Sequence, residues 1–381
     1  MPEPDGTTRI MGVSLPDTSD WREPLPAGKW SQFFGALDQR VDVVDVVHPR
    51  TSRVEQYVNL ARTVSPRSRR WLARAGFNMR HAAAVNAALE HDLRGRSGSF
   101  DLIVQLQTLC NPRSGSVDAP YVIYTDNTMA LTQRVYPPFA PLSEQMLRDW
   151  LAFEADVCRG AQTVFTFSEF ARGSVVDDYG CPADRVLAIG AGANQLEPSV
   201  QDKDYSRPRA LFVGRPFEPK GGKILLEAWR TVAAEVPGAE LAIVGPKHDP
   251  ATGFGHGVEF LGRLNRAQLS EQYRAASVFV LPSMFDAWGH VFVEAMGHGL
   301  PCIACDCCAM PEIVRDGESG LLVPRAQPEP LAQALVTLLT DPQRARAMGQ
   351  AGHQRVLGEL TWGHVAGRVV DQLRVTAAGG S

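Results

Sequence analysis

Short apolar, β-branched runs recur along the whole chain with helical stretches between them, and this alternation most restricts the fold. It is the pattern of parallel sheets built through crossover helices, an α/β architecture. In the first half the runs fall at Arg9–Leu15, Val41–Val47, Phe100–Gln107, Pro120–Thr125, Thr163–Ser168 and Arg185–Ile189. In the second half they fall at Ala210–Gly214, Glu240–Gly245, Val258–Gly262, Ser277–Pro282, Pro301–Cys305 and Gly320–Val323. Several of the latter stop at Gly or Pro, as strands do before a loop at the carboxyl edge of a sheet. Between them, Ile224, Leu225, Ala228 and Val232 share one face at helical spacing.

A chain of 381 residues is too long for one ordinary core and suits two domains. The polar stretch Leu196–Arg209 has no periodicity and two prolines, and is the best linker. The expected domains are therefore 1–200 and 201–360, each doubly wound, followed by a helical segment 361–381. No internal repeat of 20–50 residues is present. No run approaches a membrane span, and the N-terminal MPEPDGTTRI lacks a charged-then-apolar signal. Seven unevenly spaced cysteines read as reduced thiols, so the expected compartment is the cytoplasm.

A net charge of −4 argues against nucleic acid as a partner. One segment runs against that average. From Gln56 to Leu89 there is no acidic residue, while Arg62, Arg67, Arg69, Arg70, Arg74 and Arg80 interleave with Trp71, Leu72 and Phe77. This is either a surface for anionic lipid or a phosphorylated acceptor, or a solvated arginine-rich face.

The most informative segment is Leu211–Trp229, LFVGRPFEPKGGKILLEAW. A strand ends at Gly214, and Gly221 and Gly222 open the helix that follows. Glycines at a helix start let a ligand approach free backbone N–H groups, and the helix dipole favours an anion there. Arg215 and Lys220 flank that point and add two cations, an arrangement that suits a diphosphate; the alternative is a Gly-rich turn with incidental surface charge. Neither a GxxxxGK[ST] loop nor a GxGxxG fingerprint can be fitted.

A second segment, Leu281–Ala304, reads LPSMFDAWGHVFVEAMGHGLPCIA. Asp286 and Glu294 lie eight positions apart, one in a loop and one on an apolar helix. Each carboxylate can accept hydroxyl hydrogen bonds from a polyol, and backbone N–H groups around Ala287–Val291 face an anion. Asp286 reads equally well as a cap of the following turn. Cys302, Cys305, Cys307 and Cys308 form a C-x2-C-x-C-C cluster without a second ligand pair, so no metal site is expected.

Taken together, these segments resemble the donor-binding domain of the retaining glycosyltransferases of family 4, which have the GT-B fold. The resemblance covers residues 205–360 through VGRPFEPKGG, AELAIVG, VEFLGRLNRAQLSEQYRAASVFVLPS, DAWGHVFVEAMGHGLPCIA and PEIVRDGESGLLV. In the first half it is carried by TVFTFSEFARGSVVDDYGCPADRVLAIGAGAN, like the end of an acceptor domain. It implies two Rossmann-like domains facing across a cleft, 1–200 for the acceptor and 201–360 for the nucleotide-sugar donor, with 361–381 crossing back. By the same resemblance, Arg215 and Lys220 neutralise the donor diphosphate beside Gly214, Gly221 and Gly222. Glu294 matches the second Glu of a Glu-x7-Glu signature and holds the ribose, while Asp286 stands where the first Glu binds the sugar. Gly289 and His290 match the loop whose backbone reaches the phosphate, and Arg263 and Leu264 bracket the nucleobase.

Three departures are visible. Asp286 is one methylene shorter than the usual Glu; Cys308–Ala309 replaces the usual Gly-Gly ahead of Pro311–Glu312; and Asp126, in YTDNT, occupies the position of a His. Asp126 follows a strand directly and either orients an acceptor hydroxyl or stabilises charge at the anomeric carbon; otherwise it is a turn aspartate. Ser168 is either part of the site or a helix cap. The resemblance implies transfer of a sugar from a nucleotide-diphosphate donor to a hydroxyl acceptor with retained configuration, without a metal or other cofactor. The alternatives on the same fold are a sugar-nucleotide epimerase, a phosphorylase-like enzyme and an inactive sugar-nucleotide-binding homologue.

Overall fold

The computed structural model describes residues 8–14, 20–22, 28–96, 98–115, 119–197, 199–250 and 257–379. Leu15, at the end of the first expected strand, and Pro198, within the expected linker, lie outside the described residues. The chain divides into two compact units, Met1–Gly190 with Val365–Ser381, and Ala191–His364.

In the first unit six strands, β1 (Arg9–Val13), β2 (Asp42–Val47), β3 (Leu102–Leu106), β4 (Tyr121–Thr125), β5 (Thr163–Thr166) and β6 (Val186–Ala188), form one sheet. Its order is β2-β1-β3-β4-β5-β6, and its ladders are parallel. The helices are α1 (Lys29–Asp38), α2 (Arg53–Arg62), α3 (Ser68–Gly76), α4 (Met79–Leu93), α5 (Met129–Val135), α6 (Glu144–Gly160) and α7 (Glu169–Asp177).

The second unit repeats the architecture with β7 (Arg209–Val213), β8 (Glu240–Val244), β9 (Val258–Gly262), β10 (Val278–Leu281), β11 (Cys302–Cys305) and β12 (Gly320–Val323). From the β9 edge the order is β9-β8-β7-β10-β11-β12, again parallel, so the winding reverses between β7 and β10. Its helices are α8 (Gly222–Glu235), α9 (Arg266–Ala275), α10 (His290–Gly297), α11 (Met310–Ile313), α12 (Pro328–Thr340) and α13 (Pro342–Glu359). A last helix, α14 (Trp362–Gly379), starts in residues of the second unit and continues in the first. Among the described residues no helix is long and apolar enough to cross a membrane.

All twelve strands fall on the expected runs, with β7 starting one residue early at Arg209. The central strands are buried on both faces, which explains their continuous apolar character. Arg209 joins its strand because its two terminal guanidinium nitrogens are held by Glu240 of β8 at 2.8 Å, by Glu259 of β9 at 2.8 Å and by Gln272 of α9 at 3.0 Å. The stretch Leu196–Arg209 is less of a bare linker than its sequence implies, because it is bound along the second unit. The buried Tyr205 hydroxyl donates to the Gly299 carbonyl at 2.6 Å, and Lys203 Nζ donates to Tyr273 O and Arg274 O at 2.8 and 3.0 Å.

Glu154 on α6 is buried in the first unit. Its carboxylate accepts from Thr108 Oγ1 at 2.6 Å, from the Met129 N–H at 2.8 Å and from the Tyr179 hydroxyl. Burial pushes its pKa up, against the pull of those donors. A carboxyl raised in the folded state favours folding fully below its unfolded value of about 4.3 and loses that contribution as pH rises through the folded value. Glu154→Gln keeps an acceptor for Met129 and Tyr179 and offers an N–H to Thr108, but cannot ionise. The melting temperature of Glu154→Gln minus that of the wild-type chain should therefore increase as pH is raised from about 4.3 towards neutrality. A flat difference in a pH series of thermal melts would refute it.

Candidate functional site

Ligands of open α/β sheets bind outside the carboxyl ends of strands where the winding reverses. In the second unit that point lies between β7 and β10, and the loops leaving these two strands meet there. Gly221, with φ 78°, is the N-cap of α8, and a Cβ on it would lie 1.8 Å from the Pro282 carbonyl oxygen. The Met284 N–H donates to the Pro219 carbonyl at 2.9 Å and completes the pin. Only glycine fits this left-handed, backbone-to-backbone approach. Gly222 next to it packs against the Phe217 ring, and Gly214 ends β7 with its N–H on Val244 O at 3.1 Å.

This pin brings Lys220 and Asp286 together. Lys220 Nζ lies 2.5 Å from Asp286 Oδ2, with the two side chains 21% and 15% exposed. The other carboxylate oxygen accepts the Gly289 N–H at 3.0 Å. Asp286 thus caps the turn with one oxygen and faces the cation with the other. A carboxylate offers about four lone-pair positions, so two remain for hydroxyl donors. Gly289, with φ 63°, caps α10, where a Cβ would come within 2.7 Å of the Phe292 ring. The N-termini of α8 and α10 therefore open at the carboxyl edge of neighbouring strands, with partial positive charge from both helices.

Glu294 occupies a different environment one turn into α10, buried between Val293 and Ala295. Asn194 Nδ2 donates to one carboxylate oxygen at 3.0 Å and the Tyr273 hydroxyl to the other at 3.3 Å. Burial raises its pKa, against the hydrogen bonds of Asn194 and Tyr273 and the charge of Arg266. Asn194 is held in turn, its carbonyl by the Arg266 guanidinium and its Oδ1 by Trp362 Nε1 at 3.3 Å. Sequence reasoning missed Asn194, Tyr273 and Arg266. The available signal was Glu294 itself, a carboxylate on an apolar helical face that must find donors from other segments.

The remaining expected residues are less tightly joined. Arg215 is exposed and forms no ion pair among the described residues. Arg263 and Leu264 sit in the loop between β9 and α9, exposed and half-buried, and no described bond ties them to the Lys220–Asp286 pair. The His290 ring lies 6.1 Å from that of Trp362. Cys308 holds φ 54°, a conformation glycine adopts without strain, at the place where the resemblance has glycine. Its thiol meets the Asp286 backbone N–H, and Cys307 Sγ lies 3.9 Å from Ser283 O.

In the first unit Asp126 follows β4. Its carboxylate receives Gln107 Nε2 at 3.4 Å and lies 3.9 Å from Lys29 Nζ, which also sits 4.1 Å from the Trp30 ring. Gln107 has φ 59°, uncommon for a side chain of its size. Lys29 and Gln107 were not singled out in the sequence. Ser168 caps α7, accepting the Ala171 N–H at 3.1 Å.

Residues 207–341, within the second unit, match the family described as Glycosyl transferases group 1. The chain is 29% identical over 370 residues to the phosphatidyl-myo-inositol mannosyltransferase of Mycobacterium leprae, covering 92% of each chain. Among solved structures it is similar to sucrose-phosphate synthase of Thermosynechococcus elongatus, with TM-score 0.71 at 21% identity over 98% of this chain and 100% of that one. It is also similar to HepE of Anabaena in complex with UDP-glucose, with TM-score 0.66 at 17% identity over 96% of this chain and 99% of that one. These likenesses identify the fold as GT-B.

The pin between the two loops makes a direct prediction. Gly221→Ala places a methyl group against the Pro282 carbonyl in a left-handed backbone, and should destabilise the second unit by about 2 kcal/mol or more. Denaturant unfolding followed by tryptophan fluorescence checks it; an unchanged midpoint would mean that the loops part without cost.

Proposed function

We propose that the chain is a retaining glycosyltransferase of the family 4 type. It transfers a hexose from a nucleoside-diphosphate sugar to a hydroxyl acceptor without a metal ion. The observation that carries this reading is the convergence, at one switch point, of a cation, a carboxylate facing it and two helix N-termini, beside a buried second carboxylate on α10. The mannosyltransferase and synthase names of similar proteins support sugar transfer, and the UDP-glucose bound to HepE supports the class of donor.

In this reading the second unit binds the donor. Lys220, Arg215 and the N-termini of α8 and α10 receive the diphosphate, and Gly214, Gly221, Gly222, Gly289 and His290 let its oxygens approach the backbone. Glu294 accepts both ribose hydroxyls, for which Asn194 and Tyr273 hold its carboxylate in place. Arg263 and Leu264 flank the base, and Asp286 accepts sugar hydroxyls on its free lone pairs. The bond between the anomeric carbon and the phosphate oxygen breaks with its electron pair moving to the diphosphate, while the acceptor oxygen bonds the same face of an oxocarbenium-like sugar. The acceptor proton passes to the departing phosphate oxygen. Charge grows on the leaving group as the bond breaks, so fixed cations and N–H dipoles lower the barrier most there. Asp126, with Lys29 and Gln107, orients the acceptor hydroxyl in the first unit.

Lys220→Ala should lower turnover by about 10²-fold or more, the order found for losing one charge-stabilising donor. Glu294→Gln should weaken binding of the bare nucleoside diphosphate, and Asp286→Asn should cut transfer while leaving that binding nearly unchanged. Calorimetry with UDP and GDP, paired with turnover of the sugar donor, separates the three. Wild-type turnover by Lys220→Ala would overturn the diphosphate assignment, and wild-type transfer by Asp286→Asn would leave only its capping role. Activity should also persist in EDTA; its loss and restoration by Mn²⁺ or Mg²⁺ would count against metal independence.

A further inference from the structure

Helices normally bury their large apolar side chains and expose their polar ones. The pair α2 and α3 does the opposite. The only buried residue of α2 is Asn59, and the buried residues of α3 are Ala73 and Ala75. Val54 and Tyr57 on α2 and Leu72 on α3 are instead 70%, 71% and 67% exposed, and Val64, in the connection between the two helices, is 65% exposed. With Met79, they make up five of the nine large exposed apolar side chains among the described residues.

Polar groups hold this inverted pair together. Asn59 Nδ2 donates to Ala75 O at 2.8 Å, Asn78 Nδ2 to Asn59 Oδ1 at 3.0 Å, and Trp71 Nε1 to Leu60 O at 2.9 Å. The helices are thus fixed by their amides and indole, which leaves the apolar side chains free to serve another surface. Val54, Tyr57 and Ala61 follow one another at helical spacing on the exposed side of α2.

The charge around these side chains identifies that surface. Residues 50–80 hold eight arginines and one glutamate, in a chain whose net charge is −4. The glutamate, Glu55, is paired with Arg80 at 3.1 Å. Arg53, Arg62, Arg67, Arg69 and Arg70 are exposed among the apolar side chains. Exposed apolar side chains interleaved with exposed arginines fit an interface that is anionic outside and hydrocarbon beneath, where arginine stems lie along the boundary and their heads reach phosphate. A polyanion without a hydrocarbon layer would leave the four apolar side chains in water.

We propose that α2 and α3 form a docking surface for an anionic lipid bilayer. Val54, Tyr57, Val64 and Leu72 enter the acyl boundary, and Arg62, Arg67, Arg69 and Arg70 engage the headgroups. The proposal is independent of the donor chemistry assigned to the second unit.

Flotation of the full chain with phosphatidylglycerol–phosphatidylcholine vesicles, against phosphatidylcholine alone, tests it. The chain should float with the anionic vesicles only. Arg69→Gln/Arg70→Gln should weaken partitioning by about 25-fold, and Leu72→Ser or Val54→Ser by about tenfold, with unchanged melting temperatures because none of these side chains is buried. Equal flotation with both vesicle types, or none with either, would overturn the proposal. So would serine variants that partition like wild type while the arginine variant does not, since that marks a purely electrostatic polyanion site. Calorimetry with UDP and GDP on the same variants keeps a failure here distinct from a failure of the donor reading.

Discussion

The geometry of the second unit depends on one close approach, that of Gly221 to the Pro282 carbonyl. Two strands adjacent in the sheet, β7 and β10, are separated in sequence by α8, β8, β9 and α9, and their loops meet this closely because one of them lacks a side chain at this point. The consequence is electrostatic. Lys220 and Asp286, 66 residues apart, come to 2.5 Å. A β-carbon at position 221 would separate the backbones and, with them, the charges.

The two carboxylates of this region illustrate how placement sets chemistry. Asp286 stays at the edge of the unit, where a cation and a backbone N–H engage it and solvent reaches it. Glu294, eight residues on, is enclosed, and its partners are an amide and a phenol rather than a cation. Burial alone makes its ionised form costly, so the donors from Asn194 and Tyr273 bear directly on whether it is charged.

The fold was largely legible in the sequence because each strand is a short apolar run bounded by loop residues, and buried parallel strands need little else. Arg209 escaped because its place in β7 depends on Glu240, Glu259 and Gln272, which only the folded sheet assembles. The Gly221–Gly222 helix start and Lys220 stood out through local spacing, and Asp286 and Glu294 mainly through the resemblance to a known family. Their supports did not: Asn194 lies 100 residues from Glu294. Lys29 and Gln107 likewise meet Asp126 through tertiary structure, and nothing in the local pattern of either marks it. Cys308 shows the limit in the other direction, since a substitution visible in the sequence acquires meaning only with its left-handed backbone.

The division of the chain also bears on its synthesis. The first unit is not continuous: Val365–Ser381 belongs to it, and Arg368 donates to the Ile189 carbonyl at 2.7 Å. Val365, Ala366, Val369 and Val370 of this last helix are buried. A nascent chain emerges from its amino end, so early domains usually complete their packing while later ones are still being made. Here the earlier-made unit must wait for its closing helix until all of Ala191–His364 has been translated. The half that starts first on the ribosome finishes last, and a truncated transcript leaves it without its final layer even when every residue before Gly190 is present.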